Sequence, residues 1–566
     1  VVLSGTTGLS EQQPSFRLQQ TISVTEGLSW GHGKHNYRFG MDYRRVHDDI
    51  LGSSNATGTL YFTGFETGSA LTDLLYTYTD AQGKPQQGVP QETSIQSSMA
   101  KSYLRENVWD AYAQDDFRAF SNLTLNYGIR YEFFSPFSEK YNHLSALGSS
   151  GNFATVGVVS PGCTGPLCAG LPSTLVQPFR VGFAPRLGLA LRLPKSTVVR
   201  AGYAINYTNG QYASFATILA HQPPFANVQT NEATVSAPIP IANAFPTPEA
   251  NQPPNYELAT HYSLPYVQVW NIDIQKTLPA GVLLNVGYNG SKGTHLDINS
   301  APRPAVQSNP FGSGDVLFNY EQSAAFSNFN AGTLRLRKRL EKGFSLGANY
   351  QYSHSIDNAG SIGGTSTVVA QNWQNLLAEE GNSSFDVRHK VSGDYLFELP
   401  FGKDKRFLSG GGVASKITEG WSVSGSFTFA TGTPLTPSYA AAAEDVARGT
   451  AGSLRPDKVP GVSAESGGGS LRHWFDTGAF KAPAGTFGNA SRNSIAGPGT
   501  ISNAMSLSKT AQLGDTRSME FRATANNVFN TVQYSGVDTN LASPTAGQVT
   551  SAAAMRQFTF LARFRF

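Results

Sequence analysis

This sequence predicts an all-β fold, an antiparallel transmembrane β-barrel of about 15 strands with short turns at one end and long loops at the other. Three observations carry that reading. Apolar and polar residues alternate with period two along nearly the whole chain. The links between these segments run short, long, short, long without a break. The chain closes on FTFLARFRF, where Phe558, Phe560, Ala562, Phe564 and Phe566 take every second position and the last carries the terminal carboxylate.

Composition narrows the class. Only 14% of the 566 residues are charged, against about a quarter in an ordinary globular protein, while Gly (58) and aromatic residues (11%) are abundant. A net charge of +3, from 42 basic and 39 acidic residues, is too balanced to suggest a nucleic-acid partner. No stretch approaches the roughly 18 apolar residues of a transmembrane helix. The chain opens VVLSGTTG, without Met or the basic start of a signal peptide, so the expectation is a mature, trimmed or partial polypeptide. Cys163 and Cys168, in SPGCTGPLCAG, suit a local loop disulfide in an oxidising compartment; free thiols are the alternative. A zinc site would need two more ligands, and none is near.

Strands are expected near residues 16–27, 35–47, 103–118, 122–135, 181–193, 196–208, 265–277, 281–291, 328–340, 343–356, 387–399, 418–431, 501–511, 517–527 and 555–566. LTLNYGIRYEF sets Leu123, Leu125, Tyr127, Ile129, Tyr131 and Phe133 against Thr124, Asn126, Gly128, Arg130 and Glu132. GFSLGANYQY and WSVSGSFTF repeat the division, with Phe344, Leu346, Ala348, Tyr350 and Tyr352 on one apolar face and Trp421, Val423, Phe427 and Phe429 on another. Helical periodicity is confined to SALTDLLY, residues 69–76.

The links decide what sort of sheet this is. LPKS, LPAG and LEKG are tight, and residues 28–34 and 400–417 somewhat longer; residues 48–102, 136–180, 209–264, 292–327, 357–386, 432–500 and 528–554 form long, Gly/Pro/Ser/Asn-rich loops. A soluble sandwich has no reason to keep that rhythm, whereas an outer-membrane barrel has short periplasmic turns and long extracellular loops. NAGTLRLRKRL shows the two faces, Leu334, Leu336 and Leu340 for lipid and Arg335, Arg337 and Arg339 for an enclosed aqueous side. On one strand alone those arginines would be a solvated face; recurrence on most strands argues for a barrel.

Several segments resemble a known family. DAYAQDDFRAFSNLTLNYGIRYE (Asp110 to Glu132) looks like the strand–turn–strand signature of TonB-dependent receptors. NSIAGPGTISNAMSLSKT, MEFRATANNVFNTVQYSG and the terminal FTFLARFRF look like the end of the same barrels. With SFDVRHKVSGDYLFELPFG and TGTLYFTGFETGSALTDLLY, the chain is similar to the Oar-like branch. The resemblance implies a barrel of about 22 strands around an N-terminal plug, a box pulled by TonB, and, in Oar-like members, a small accessory β-domain. No plug-like segment, TonB box or accessory domain is recognisable here. Residues 1–566 are therefore expected to be a barrel lacking its first strands and plug, since an open sheet edge in hydrocarbon leaves backbone groups unpaired. The terminal aromatics resemble the signal read by the barrel-assembly machinery, which makes Phe564 and Phe566 candidates for assembly.

Catalysis finds little support. The ten histidines are scattered. His32 and His35 in WGHGKH have no carboxylate near in sequence. GLSWG (Gly27 to Gly31) matches a nucleophile elbow as a string, but a strand follows where that motif needs a helix, so Ser29 reads as a turn residue. HSIDN (His354 to Asn358) reads as a polar strand exit. The runs Ser409 to Gly412 and Gly467 to Ser470 are loop or turn material without the strand–loop–helix of a phosphate cradle. No cofactor is implied. A ligand would meet the long loops: Tyr212, Phe215, His221, Phe225, Phe245 and Tyr256 offer stacking surfaces or pack against neighbouring loops. Arg335, Arg337 and Arg339 face the plug or form a charge ladder. The function this implies is import of an unidentified ligand across the outer membrane, driven through TonB by the inner-membrane proton gradient. A passive pore, a surface receptor, adhesin or secretion factor of Oar-like type, and a soluble glycan-binding protein are the alternatives.

Overall fold

Two-residue alternation becomes one long ladder of strands. The computed structural model describes residues 1–566 except 5–8, 10–14, 53–54, 80–82, 97–100, 151–152, 234–237, 246–253, 303–317, 360–369, 403–404, 411, 440–453, 467, 484–486 and 515. Its main sheet contains β1 (Ser15–His32), β2 (His35–Gly52), β3 (Lys101–Phe120), β4 (Leu123–Phe134), β5 (Phe183–Leu193), β6 (Thr197–Tyr207), β7 (Tyr266–Thr277) and β8 (Val282–Ser300). It continues through β9 (Asn319–Glu341), β10 (Phe344–Asp357), β11 (His389–Glu398), β12 (Trp421–Ala430), β13 (Thr500–Gln512), β14 (Ser518–Asn526) and β15 (Gln557–Arg565). Each strand pairs antiparallel with the one before it. Among the described residues β1 and β15 do not pair with each other, and both run from the loop end to the turn end.

Register places the faces as the alternation requires. Phe39, Met41 and Tyr43 of β2 stand opposite Ala113, Ala111 and Trp109 of β3. Further along the sheet the same exposed face carries Leu187, Ile272, Ile274, Val286 and Leu334. The other face carries Arg44, Asp110 and Arg130, which are ion-paired across strands. At the loop end that polar face turns apolar: Ile50, Leu104, Val108 and Phe134 are buried beneath the loops. This is therefore the enclosed side. Gly40 stands under the Tyr112 ring, which lies 2.5 Å from where a Cβ would be; the missing side chain gives the ring its place.

Strand length follows from what each strand must reach. Crossing hydrocarbon takes about 9–11 residues, and β14 and β15, with 9 each, do little more. β3 has 20 residues and β9 has 23, so their upper parts rise above the membrane and support the loops. The extension of β8 to Ser300 and the start of β9 at Asn319 shorten the expected 292–327 loop.

Of three local expectations, two change and one holds. Ser29 lies within β1; the hairpin turns at Gly33 and Lys34, between His32 and His35, and Gly33 has the positive φ (60°) the turn needs. The helix expected in SALTDLLY is α1 (Ala70–Leu75), with Ser69 Oγ accepting the Thr72 N–H at 3.5 Å. Two more helices occupy segments taken as irregular: α2 (Gly210–Ala220) and α3 (Gly412–Thr418). In α2 the buried residues Tyr212, Phe215, Ala216, Leu219 and Ala220 cover much of the circumference, so no polar stripe announces a helix. Of the two glycine-rich runs, Gly411 and Gly467 lie outside the described residues.

The faces make a direct prediction. Leu187→Arg, on the exposed apolar face, should cost about 2–4 kcal/mol of stability in a bilayer. Thr428→Arg, on the enclosed face, should cost well under half of that. Unfolding of the two variants in lipid vesicles measures the difference.

Candidate functional site

The enclosed wall carries charge in two different arrangements. On β2, β3 and β4 it is paired: Arg44 Nη2 reaches Asp110 at 2.8 Å and its Nε reaches Asp42 at 2.9 Å, while Arg130 meets Asp110 and Glu132, each at 2.9 Å. Asp42, Arg44, Asp110, Arg130 and Glu132 thus alternate in sign across three strands. On β9 the enclosed-face arginines are unpaired among the described residues. Arg335, Arg337 and Arg339 share the enclosed face, Arg335 Nε donates to Asn349 Oδ1 at 3.2 Å, and no carboxylate among the described residues forms an ion pair with any of the three. They border a cavity of about 790 Å³ with Asn349, Asp394 and Thr428.

Above the wall, the long links fold into a layer with its own core. Tyr212, Phe215 and Leu219 of α2 pack on Leu104, Val108 and Ile50 of the strands, with Tyr256, Tyr262 and Leu264 from the link that follows. Tyr212, Phe215 and Tyr256 are each at most 2% exposed, so the aromatic surface that the sequence offered to a ligand is spent on packing. Burial pushes the Tyr212 hydroxyl up to about 12. Tyr256 donates to Glu321 at 2.6 Å, and the ring of Phe215 meets that of Tyr262 edge-on at 4.7 Å. His221 Nδ1 lies 2.6 Å from the Thr217 carbonyl, and Phe225 stacks on His143 at 4.7 Å. Phe245 remains partly exposed at 37%. Cys163 and Cys168 form a disulfide that packs against this core.

A second part of the layer is held by buried ion pairs that no local pattern announces. Arg455 binds Glu379 through Nη1 at 2.5 Å and Nη2 at 3.2 Å, and its Nε donates to the Ala490 carbonyl at 2.8 Å. Arg492 donates to the Glu379 carbonyl at 2.8 Å and pairs with Asp357 at the end of β10. HSIDN is thus more than a strand exit: His354 meets Asn382 at 3.0 Å, and Asn358 accepts the Phe326 N–H at 2.7 Å. These contacts clamp the links after β10 and β12 to the sheet.

Between the two parts opens a cleft of about 610 Å³, which sequence reasoning missed. Phe153 sits edge-on to Trp373 (5.1 Å) and Tyr320 (5.0 Å), beside Ser149, Gln322 and Gln374. Its lining is aromatic and neutral. Behind it the Glu257 carboxyl accepts from Ser149 Oγ at 2.6 Å, and burial pushes it up to about 7. The residues come from the links after β4 and β10 and from the upper end of β9, far apart in sequence, and only the lone Trp373 in a polar link hinted at the site.

Two other candidates acquire partners. His35 Nδ1 lies 2.7 Å from Asp115, the carboxylate that neighbouring sequence lacked. No group of three or more His, Cys, Asp or Glu among the described residues is placed to hold a metal. Phe564 and Phe566 end the free edge β15, their rings stacked at 6.2 Å and Phe566 93% exposed.

Fold and wall together define a transmembrane antiparallel β-sheet protein with a polar enclosed face and a folded loop layer. The chain matches the family described as outer membrane beta barrel domain over residues 1–559, and it belongs to that family, which places it in the bacterial outer membrane. Solved structures with the same fold include the outer membrane transporter YddB of Escherichia coli, at TM-score 0.51 and 9% identity over 98% of this chain and 54% of that one. The ferripyoverdine receptor of Pseudomonas aeruginosa (TM-score 0.45, 11% identity, 98% and 49% covered) and the siderophore receptor PiuA of Acinetobacter baumannii (0.45, 10%, 97% and 56%) are also similar. The chain spans about half the length of each. No curated protein matches it significantly.

Two predictions follow from the loop layer. Arg455→Ala strands the buried Glu379 carboxylate and should destabilise the layer by about 3–5 kcal/mol, seen as faster amide exchange in the links after β10 and β12 while the barrel strands stay protected. Glu257 is favoured in its neutral form when buried, so its contribution is complete below its unfolded value near 4.5 and is lost as pH rises through about 7. Protection of the cleft-lining links should fall across that interval, and Glu257→Gln should flatten the profile.

Proposed function

We propose that this chain is the barrel of a TonB-dependent outer-membrane importer of the Oar-like branch, which takes up a ligand from outside with energy from the inner-membrane proton gradient. The observation that carries the reading is a sheet with a polar enclosed wall and two outer edges that run in the same direction and are unpaired among the described residues. Joining β1 directly to β15 would make a parallel seam. Antiparallel closure takes an odd number of further strands, and seven would bring the barrel to about 22, the size of plugged transporters. Those strands and the plug lie upstream of Val1 in this proposal. The unpaired stripe Arg335, Arg337 and Arg339 faces the plug at rest and lines the route when the plug moves. The cleft at Trp373 is the first contact of the ligand, and the protein performs no covalent chemistry on it. Phe564 and Phe566 present the last strand to the barrel-assembly machinery.

The intact mass of the native protein from outer membranes, with its N-terminus mapped, tests this directly. A mass far above 60.6 kDa, with a plug and TonB box preceding Val1, is expected. Collapse of the proton gradient should then abolish uptake while leaving surface binding of ligand intact. A polypeptide of 60.6 kDa beginning at Val1 would sink the proposal in favour of a passive pore or a multi-chain assembly.

A further inference from the structure

The lining of the cleft beside Trp373 selects a class of ligand. Among the described residues no Asp, Glu, Lys or Arg borders it. Glu257, behind it, is 6% exposed and engaged by the Ser149 hydroxyl, and burial favours its neutral form. What faces the space is a set of aromatic rings and neutral hydrogen-bonding groups. The ring faces are left open. Phe153 belongs to a small core with Leu147, Val156 and Phe318. Its plane stands at 89° to Trp373 and at 78° to Tyr320, and no other ring lies against either among the described residues. Phe153 holds a positive φ of 66°, a costly conformation for a bulky side chain, which seats its ring beneath the other two.

Polar groups beside the rings are uncommitted. The Trp373 indole N–H and the side-chain amides of Gln322 and Gln374 form no hydrogen bond among the described residues. Each amide offers two donors and an acceptor oxygen, and the indole adds a donor. Ser150 and Gln374 are exposed, so the cleft opens to solvent. An anionic ligand or an anionic metal complex would find no cation here. A peptide is usually caught on an unpaired strand edge, but Tyr320 is already paired on both sides, with Ser300 and Glu257.

A sugar ring meets these terms. One of its faces is a patch of C–H bonds whose slightly positive hydrogens suit the negative face of an aromatic ring. Its rim carries hydroxyls, each a donor and an acceptor, which side-chain amides match. The volume of about 610 Å³ lies within the roughly 300–1,000 Å³ of small-molecule sites. We propose that the cleft binds a neutral oligosaccharide, with one sugar ring lying on Trp373 and Tyr320 and its hydroxyls bonded by Gln322 and Gln374. The assignment deepens the importer reading and rests on the cleft being the first contact of the ligand.

The test is calorimetric titration of the native protein, extracted from outer membranes in a detergent without a sugar headgroup. The probes are neutral tetrasaccharides of α-glucan, β-glucan, xylan, mannan and chitin, with tetragalacturonate, ferric citrate and acetyl-tetraglycine amide for comparison. A neutral saccharide should bind most tightly, with a Kd unchanged between about 0.05 and 0.5 M salt. Trp373→Ala should weaken it roughly 30-fold or more. The double variant Gln322→Ala/Gln374→Ala removes side chains that bond nothing in the protein and should weaken it roughly 10-fold. Where amide exchange shows that Trp373→Ala loosens residues 146–159, the double variant decides. No binding by any neutral saccharide overturns the proposal, as does tighter binding of a comparison probe or undiminished binding by the double variant. The titration needs neither TonB nor a gradient. Saccharide binding without gradient-dependent uptake therefore sinks the importer alone, and gradient-dependent uptake without saccharide binding sinks this assignment alone.

Discussion

Everything in this molecule depends on pairing the backbone inside hydrocarbon. Each N–H and C=O left without a partner there costs several kcal/mol, so a strand that crosses lipid must have a strand on both sides. The ladder from β1 to β15 meets that demand at every interior position through consecutive antiparallel neighbours. The same demand fixes side-chain direction. Slipping any strand by one residue would bring Arg335 and Arg337 into lipid and Leu334 and Leu336 into the enclosed space, so register is held by both faces at once. It also explains why the two outer edges are the least self-sufficient part of the sheet.

A different solvent governs the layer above. Its links fold by the rules of a water-soluble protein: an apolar core around Tyr212, Phe215 and Leu104, a disulfide, and ion pairs with little exposure. The long strands couple the two regimes. The extra residues of β3 and β9 carry Leu104 and Tyr320 out of the membrane, where they become floor and wall of the loop core. The cleft beside Trp373 can therefore vary in shape without disturbing a single rung in lipid.

This division sets what could be read from sequence. The strands were legible because lipid enforces alternation on every rung, as in Leu123 to Phe133 and Phe558 to Phe564. The arginine stripe was legible for the same reason, its face being dictated by Leu334 and Leu336. Ser29 reads as a turn residue because Gly27 and Gly31 flank it, whereas Gly27 lies on the rung opposite Gly40 and the turn waits until Gly33. The loop layer resisted because its contacts are long-range: Arg455 and Glu379 are 76 residues apart, and Ser149 and Glu257 are 108 apart. No local period marks such pairs, and α2, buried around much of its circumference, shows no stripe.

The two charged regions of the enclosed wall have opposite needs. The alternating set from Asp42 to Glu132 holds most of its own counter-charge, each guanidinium lying between two carboxylates. Arg335, Arg337 and Arg339 do not. Alternate residues on a strand lie about 6.8 Å apart, where like charges repel by roughly 0.6 kcal/mol in water and several times that as the dielectric falls. With no carboxylate within ion-pair distance among the described residues, and Asp394 the acidic side chain that borders the same cavity, the stripe favours a wet space or an acidic surface beside it. The wall beside the arginine stripe is thus suited to solvent or to an anionic companion, whereas the paired wall across the sheet already carries its own counter-charges.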